Sequence, residues 1–436
     1  MKTIKLIFIL AIAFSLLLNG CVASNDSDAS DPSSNNGHDT GSQNGNNAAE
    51  DDGNDIPNDN ESGNIGQPDD DERIKNMISN MGLHEKIGQM FMIGIEETAM
   101  NDDLENYIKE RFPGGSILFG RNSQDPDQLL ELINSLKKVN SGRIPLFVSV
   151  DEEGGSVSRM PSQLHELPSA WSIGELDDDL PAYELGSLLA QKIEIFGFNM
   201  DFAPVLDIWS NPKNTVIGER AFGTTAEIVS RHGIPLMKGI RENGVIPVVK
   251  HFPGHGDTET DSHVGLPAVS HDIESLNGFE LVPFKKAIEE NADAVMIAHI
   301  LMNRIDPKNP ASLSETVISK LLREEMGFEG VVITDDMTMG AITKNYDIGE
   351  AAVRSIIAGS DIILVCHGYD KQAEAIDAVR QSVESGLIDQ GRIDKSVARI
   401  LKLKDKYGLT DEAVDYADVD VINEKIDGFL SQWYNR

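Results

Sequence analysis

Between His251 and His263 the run HFPGHGDTETDSH places three histidines and two aspartates within thirteen residues. His251 and His255 are four apart, as zinc ligands on a helix can be, but Pro253 and Gly254 stand between them and exclude that helix. Without the helix the spacing carries no argument for a metal. Asp261 and His263 are two apart on irregular chain. There a carboxylate can hydrogen-bond an imidazole, fix its tautomer and raise its basicity, which is how a general acid/base is assembled. The same residues on a solvated loop would do nothing, so the reading depends on what holds the loop.

What holds it is a β-branched apolar run, VIPVV into Lys250, which suits a buried parallel strand. Seven more such runs recur along the chain: GQMFMIGI near residue 90, GSILFG from Gly115, PLFVSVD from Pro145, NMDFAPVLD from Asn199, AVMIAHI from Ala294, GVVITDD from Gly330 and IILVC from Ile362. Amphipathic stretches separate them, among them Pro181 to Ile195, Ala226 to Asn243, Ser275 to Asn291 and Ser312 to Met326. Eight βα units predict an α/β fold of the (β/α)8 TIM-barrel type in one domain. A doubly wound sheet would carry a Gly-rich phosphate loop after its first strand, and none follows Ile95. The helical patterns Ile393 to Lys404 and Ile422 to Trp433 are expected to close or cap the barrel.

A barrel places functional residues at the carboxyl ends of its strands. Asp151 ends the third run, Asp207 follows the fourth, Lys250 and His251 end the fifth, His299 the sixth, and Asp335 with Asp336 the seventh. Polar residues scattered at random would not collect at one end of every run, and this coincidence points to an enzyme. Asp335 has the chemistry of a nucleophile, a general base or a metal ligand, while Asp336 is read as a structural cap of the next helix. Opposite Asp261 and His263, Asp335 fits the logic of a retaining glycosidase, with a histidine where a second carboxylate is usual. In DEEGGSVSRM, Asp151 and Arg159 can grip hydroxyl groups, and the two glycines permit close backbone approach. Glu152 and Glu153 are read as solvated. Arg220, alone on its loop, carries no such argument from chemistry.

The ends of the chain speak to location. Lys2 and Lys5 precede an apolar run from Leu6 to Leu18, too short for a membrane span and typical of a signal peptide. It stops at Leu18, Asn19, Gly20 and Cys21, which resembles a bacterial lipobox, with residues 1–20 removed and Cys21 lipidated. From Val22 to Glu72 there are fourteen Asp or Glu and no Lys or Arg, so residues 21–72 are expected to form a disordered acidic tether and 73–436 the folded domain. The expected location is the extracytoplasmic face of a cell membrane, through the lipid. A net charge of -35 excludes nucleic acid as a partner. Cys366, in an apolar run, is read as a buried thiol without a disulfide partner.

Taken together, KHFPGHG, DSH, DEEGG, NMDFAPVLD, IGERAFG and TDDMTMGA resemble glycoside hydrolase family 3, in particular its β-N-acetylglucosaminidase branch. The resemblance runs from about Arg73 to the C-terminal helices. It implies His263 as acid/base, Asp261 as its orienting partner and Asp335 as nucleophile. It further implies that Asp151, Arg159, Arg220, Lys250 and His251 hold an N-acetylglucosamine unit, with no metal or organic cofactor. The implied partners are β-linked N-acetylglucosamine glycans such as peptidoglycan fragments or chitooligosaccharides, acted on by a monomer. A β-glucosidase or β-xylosidase of the same family, or a glycan-binding lipoprotein that has lost catalysis, are the alternatives. Two departures stand out: Ala221 replaces a serine common after the arginine, and the second α/β domain of some members is not expected here.

Overall fold

The computed structural model describes residues 70–434 apart from 177, 260, 261, 263 and 264. The signal segment, Cys21 and the tether as far as residue 69 therefore lie outside the described residues, as do Asp261 and His263. The helix Asp70–Asn80 includes the last three residues of the stretch read as tether. Acidic residues suit the first turn of a helix, where free N–H groups face them. Composition alone had assigned them to the polar run before.

The eight apolar runs all become parallel strands: β1 (Phe91–Gly94), β2 (Gly115–Ile117), β3 (Phe147–Val150), β4 (Met200–Asp201), β5 (Ile246–Phe252), β6 (Ala294–Ile297), β7 (Val331–Thr334) and β8 (Ile363–Val365). Their spatial order is β8-β1-β2-β3-β4-β5-β6-β7. A parallel bridge between Ile333 and Ile362 brings the two ends together into a barrel with helices outside. Alternation along each strand divides the core. Ala294 and Met296 join a cluster with Met92, Phe147 and Met200, while Val295 and Ile297 pack among Leu185, Ile240 and Phe284 of the surrounding helices.

Two of the expected helices are modified. Ser275 to Asn291 is broken into Ile273–Gly278 and Leu281–Glu289. Pro283 accounts for the break, because its ring would meet the carbonyl of Phe279 in a continuous helix. Ser312 to Met326 begins as a short 3-10 turn, Ala311–Leu313, and continues as Thr316–Glu325 with π-type winding. The C-terminal helices, Gln390–Lys406 and Val419–Tyr434, contain both predicted stretches.

Two irregularities serve the upper end of the barrel. The pairing of β5 with β6 shifts register between Val249 and Phe252, where Lys250 and His251 lie. Such a shift re-aims side chains. Beyond the loop that follows β5, Ala268–Val269 pairs with Leu301–Met302 of the next loop, so the two loops are tied outside the barrel.

Candidate active site

At the carboxyl ends of the strands lies a cavity of about 350 Å³, lined by Asp151, Arg159, Arg220, His251 and Asp335 among others. These five residues come from four different strand ends or the loops after them. Lys250 is buried directly behind this wall, 1% exposed, with its Nζ 2.6 Å from Asp151 Oδ1 and 2.6 Å from Glu153 Oε1. Glu153 in turn holds Arg220 in a fork, with Nε donating to Oε2 at 2.8 Å and Nη2 to Oε1 at 2.8 Å. Asp151, Lys250, Glu153 and Arg220 thus form an alternating chain of charges.

Glu152 and Glu153 therefore correct the sequence reading: neither is solvated. Glu152 is fully buried, accepts from Lys192 Nζ at 2.9 Å, and also takes the backbone N–H of Arg159 at 2.8 Å. The turn between them and Arg159 needs its glycines. Gly154 and Gly155 have φ of 78° and 56°, and a Cβ on Gly154 would come 2.5 Å from the carbonyl of Pro168. Burial pushes the Glu153 carboxyl upward, but Arg220 and Lys250 beside it outweigh this and hold it far below the usual range. The same pairing raises Lys250 above its ordinary value, against burial, through Asp151 and Glu153. Glu153 and Lys250 are thus held in their charged forms, and a sugar hydroxyl meeting this wall finds charge-assisted partners.

A second chain continues from Arg220. Its Nη2 lies 3.4 Å from His251 Nε2, and His251 Nδ1 lies 2.6 Å from Asp207 Oδ2. Arginine has only donors, so the Nε2 contact calls for the lone pair and places the proton on Nδ1, facing Asp207. Asp207 also accepts the backbone N–H of His255 at 2.6 Å. Burial raises Asp207, yet His251 and His255 lower it more, leaving it below the usual carboxylate range. Asp207, marked in the sequence only as a polar residue after a strand, is the post that orients His251.

Asp335 follows β7, and its own carboxylate accepts the N–H of Asp336 at 2.8 Å. Burial opposes its ionisation, but His299, His251 and the N–H of Asp336 prevail and keep it below the usual range. It is an ionised carboxylate facing a cavity, the form a nucleophile needs. Asp336 accepts the N–H groups of Thr338 and Cys366 at 2.9 Å each, so it is structural, but it does not cap the next helix as expected: that helix is Gly340–Thr343 and its cap position is Met339. His299 is occupied by Ser312 Oγ at 2.7 Å and the carbonyl of Asp336 at 3.0 Å. Cys366 is buried beside them as expected, and burial raises its thiol well above the ordinary value.

Asp261 and His263 are not among the described residues, but Ser262 between them is. It is buried, lines the cavity, and its carbonyl accepts the N–H of Ala341 at 2.9 Å, seven residues after Thr334 ends β7. Its Oγ lies 3.4 Å from His255 Nε2. Among the described residues no group of three His, Cys, Asp or Glu is disposed to hold a metal ion.

A family model described as "Glycosyl hydrolase family 3 N terminal domain" matches residues 82–403. The chain belongs to glycosyl hydrolase family 3. A "Beta-hexosaminidase A" of Pseudoalteromonas piscicida is 32% identical over 334 residues, which cover 71% of this chain and 56% of that one. The chain thus spans little more than half the length of that relative. A "Beta-hexosaminidase" of Methylococcus capsulatus is 36% identical over 289 residues, covering 66% of this chain and 85% of its own. Among solved structures, a glycoside hydrolase family 3 beta-N-acetylglucosaminidase from a Paenibacillus species superposes with a TM-score of 0.76 at 42% identity, covering 81% of this chain and 69% of that one. This family 3 chain carries the barrel, and its cavity opens at the barrel's catalytic face.

Proposed function

We propose that the protein is a retaining exo-β-N-acetylglucosaminidase that releases terminal N-acetylglucosamine from muropeptides or chitooligosaccharides. The observation that carries the reading is the ionised Asp335 facing the same cavity as the charged wall of Asp151, Lys250, Glu153 and Arg220. That pairing, together with family membership and relatives named as β-hexosaminidases, supports a sugar held by its hydroxyls with its anomeric carbon over a carboxylate.

In the mechanism, Asp151, Arg159, Arg220, Lys250 and His251 hold the terminal sugar. The Asp335 carboxylate forms a bond to the anomeric carbon while His263 protonates the departing oxygen, giving a covalent glycosyl-enzyme. Water then attacks that carbon, His263 takes its proton, and the Asp335 ester breaks, so configuration is retained. Asp261 stabilises the imidazolium form that His263 holds before it gives up its proton and regains when it takes one from water. The lipid on Cys21 would hold this chemistry at the outer side of a cell membrane, with the acidic stretch as its tether and the enzyme acting as a monomer.

The test compares a chromogenic aryl β-N-acetylglucosaminide with the aryl β-glucoside, using wild type and His263→Ala. Release from the acetamido sugar alone, lost in the variant, is expected. Release from the glucoside alone would overturn the reading.

A further inference from the structure

The cavity has a second wall that this mechanism leaves unused. Phe119 follows β2 and His367 follows β8, and both line the cavity. Their rings stack with centroids 5.5 Å apart and 28° between planes. The His367 side chain is 49% exposed, and the carboxylates nearest its nitrogens, Glu96 and Asp336, stand 3.9 Å away. Among the described residues neither ring nitrogen has a hydrogen-bond partner at closer range.

Phe119, by contrast, is braced. The Arg121 guanidinium lies 4.6 Å from its ring centroid and is itself fixed by the carbonyls of Ile95 at 3.0 Å and Cys366 at 2.9 Å. Asn122 Oδ1 accepts the N–H of Phe119 at 2.9 Å. The result is a held aromatic face with an open imidazole edge at the mouth of a charged cavity. A cavity of about 350 Å³ is near the lower end of the range for ligand sites, so anything beyond one terminal sugar must extend across its rim.

We propose that the Phe119–His367 stack is the platform for the leaving-group sugar, a hexosamine pyranose joined through the scissile bond. The proposal rests on the glycosidase reading above and adds a subsite to it. The charged wall suits the hydroxyls of the sugar being released. An aromatic face suits the C–H face of a second pyranose, and a free imidazole nitrogen can hydrogen-bond one of its hydroxyls. Leaving-group recognition is thereby separated from recognition of the terminal sugar, since the two walls are built from different strand ends.

The experiment measures kcat/KM of the full chain on the β-1,4-linked disaccharide of N-acetylglucosamine and on N-acetyl-β-glucosaminyl fluoride, whose leaving group has no ring. His367→Ala is expected to lower the value for the disaccharide about tenfold, roughly 1.4 kcal/mol, chiefly through KM, and to leave the fluoride within twofold. His367→Trp, which restores a face, is expected to recover most of the loss. Phe119→Leu serves as a second variant, with the same split between substrates expected. Equal losses on both substrates, or none on either, would overturn the platform. If wild type cleaves neither substrate, the failure belongs to the glycosidase reading itself.

Discussion

The two ends of the barrel both bury charge, but they use it in opposite ways. At the carboxyl end, Asp151, Glu153 and Arg220 form a chain of ion pairs with the buried Lys250 behind them and still line a cavity that Asp335 shares. Near the amino ends of β7 and β8, Asp361 is fully buried and closes on itself: it accepts from Arg399, Ser396 and the N–H of Val332, and pairs with Arg323 at 2.5 Å. Lys404 is similarly enclosed, donating to Gln89 Oε1 at 2.8 Å and the carbonyl of Gly114 at 2.7 Å. A buried ionic network is therefore no sign of chemistry in itself. What distinguishes the active end is charge that is paired yet still open to a ligand.

The largest effect that would break this comparison lies at Asp335. Asp335→Asn should lower kcat on the order of 10⁴-fold, with thermal unfolding little changed, since the hydrogen bond its carboxylate accepts comes from the neighbouring N–H of Asp336 and an amide oxygen can take it over. Steady-state kinetics beside a melting curve checks both halves. Asp361→Ala should do the reverse. Removing the centre of an enclosed network leaves Arg323, Arg392 and Arg399 clustered around an empty place, and a loss of about 3–5 kcal/mol is expected in denaturant unfolding. Turnover measured well below the transition should stay near wild type. If Asp361→Ala removed activity and left stability intact, the distinction between the two ends would fail.

Glu153→Gln falls between these extremes because Glu153 belongs to both kinds of network. It keeps the shape but removes the charge that faces Lys250 and Arg220, so KM should rise about tenfold or more, roughly 1.4 kcal/mol, with a smaller change in kcat. The pH profile sharpens the point. Glu153 helps raise the Lys250 ammonium above its ordinary value, so removing it lets that proton leave at lower pH. The alkaline limb of kcat/KM should move downward in the variant. An unmoved limb would mean that Glu153 only supports the fold.

These residues also show how far sequence reaches. The eight strands were legible because each is a local apolar run, and strand ends then located Asp151, Lys250, His251 and Asp335 from the barrel rule alone. Arg159 followed from its place beside Asp151 in DEEGGSVSRM, Arg220 rested on the family resemblance, and the cavity takes in both. Glu152 and Glu153 were misread because their partners are remote: Lys192 is 40 positions away and Arg220 is 67. No local pattern reports such a pairing, and a pair of adjacent glutamates before two glycines reads as loop. The Phe119–His367 stack was invisible for the same reason, since it joins the ends of β2 and β8, which flank β1 in the barrel but lie far apart in the sequence. The break before Pro283 was legible in principle, because a proline's clash with the residue four before it is a local rule.

The smallest effect concerns Lys404, and it tests the enclosed end from the other direction. Burial pulls its ammonium down from 10.5 to about 7. Below that value both folded and unfolded chains carry the proton, and the folded protein bears the full desolvation cost. As pH rises from about 7 toward 10.5 the folded form sheds its proton first while the unfolded form keeps it, so the unfolded state binds more protons and stability rises with pH. Lys404→Met removes that cost but leaves Gln89 Oε1 without its donor; the carbonyl of Gly114 still receives the N–H of Phe147 at 3.0 Å. The two changes offset, and the net shift at pH 7 should be about 1 kcal/mol or less, with kcat/KM within twofold of wild type. The decisive reading is the difference in Tm between variant and wild type at two pH values. It should favour the variant more at pH 7 than at pH 10, because only the wild type recovers stability as the proton leaves. A difference that stayed constant would mean that Lys404 is not desolvated as its enclosure demands, and the contrast between a closed charge and an open one would lose its clearest member.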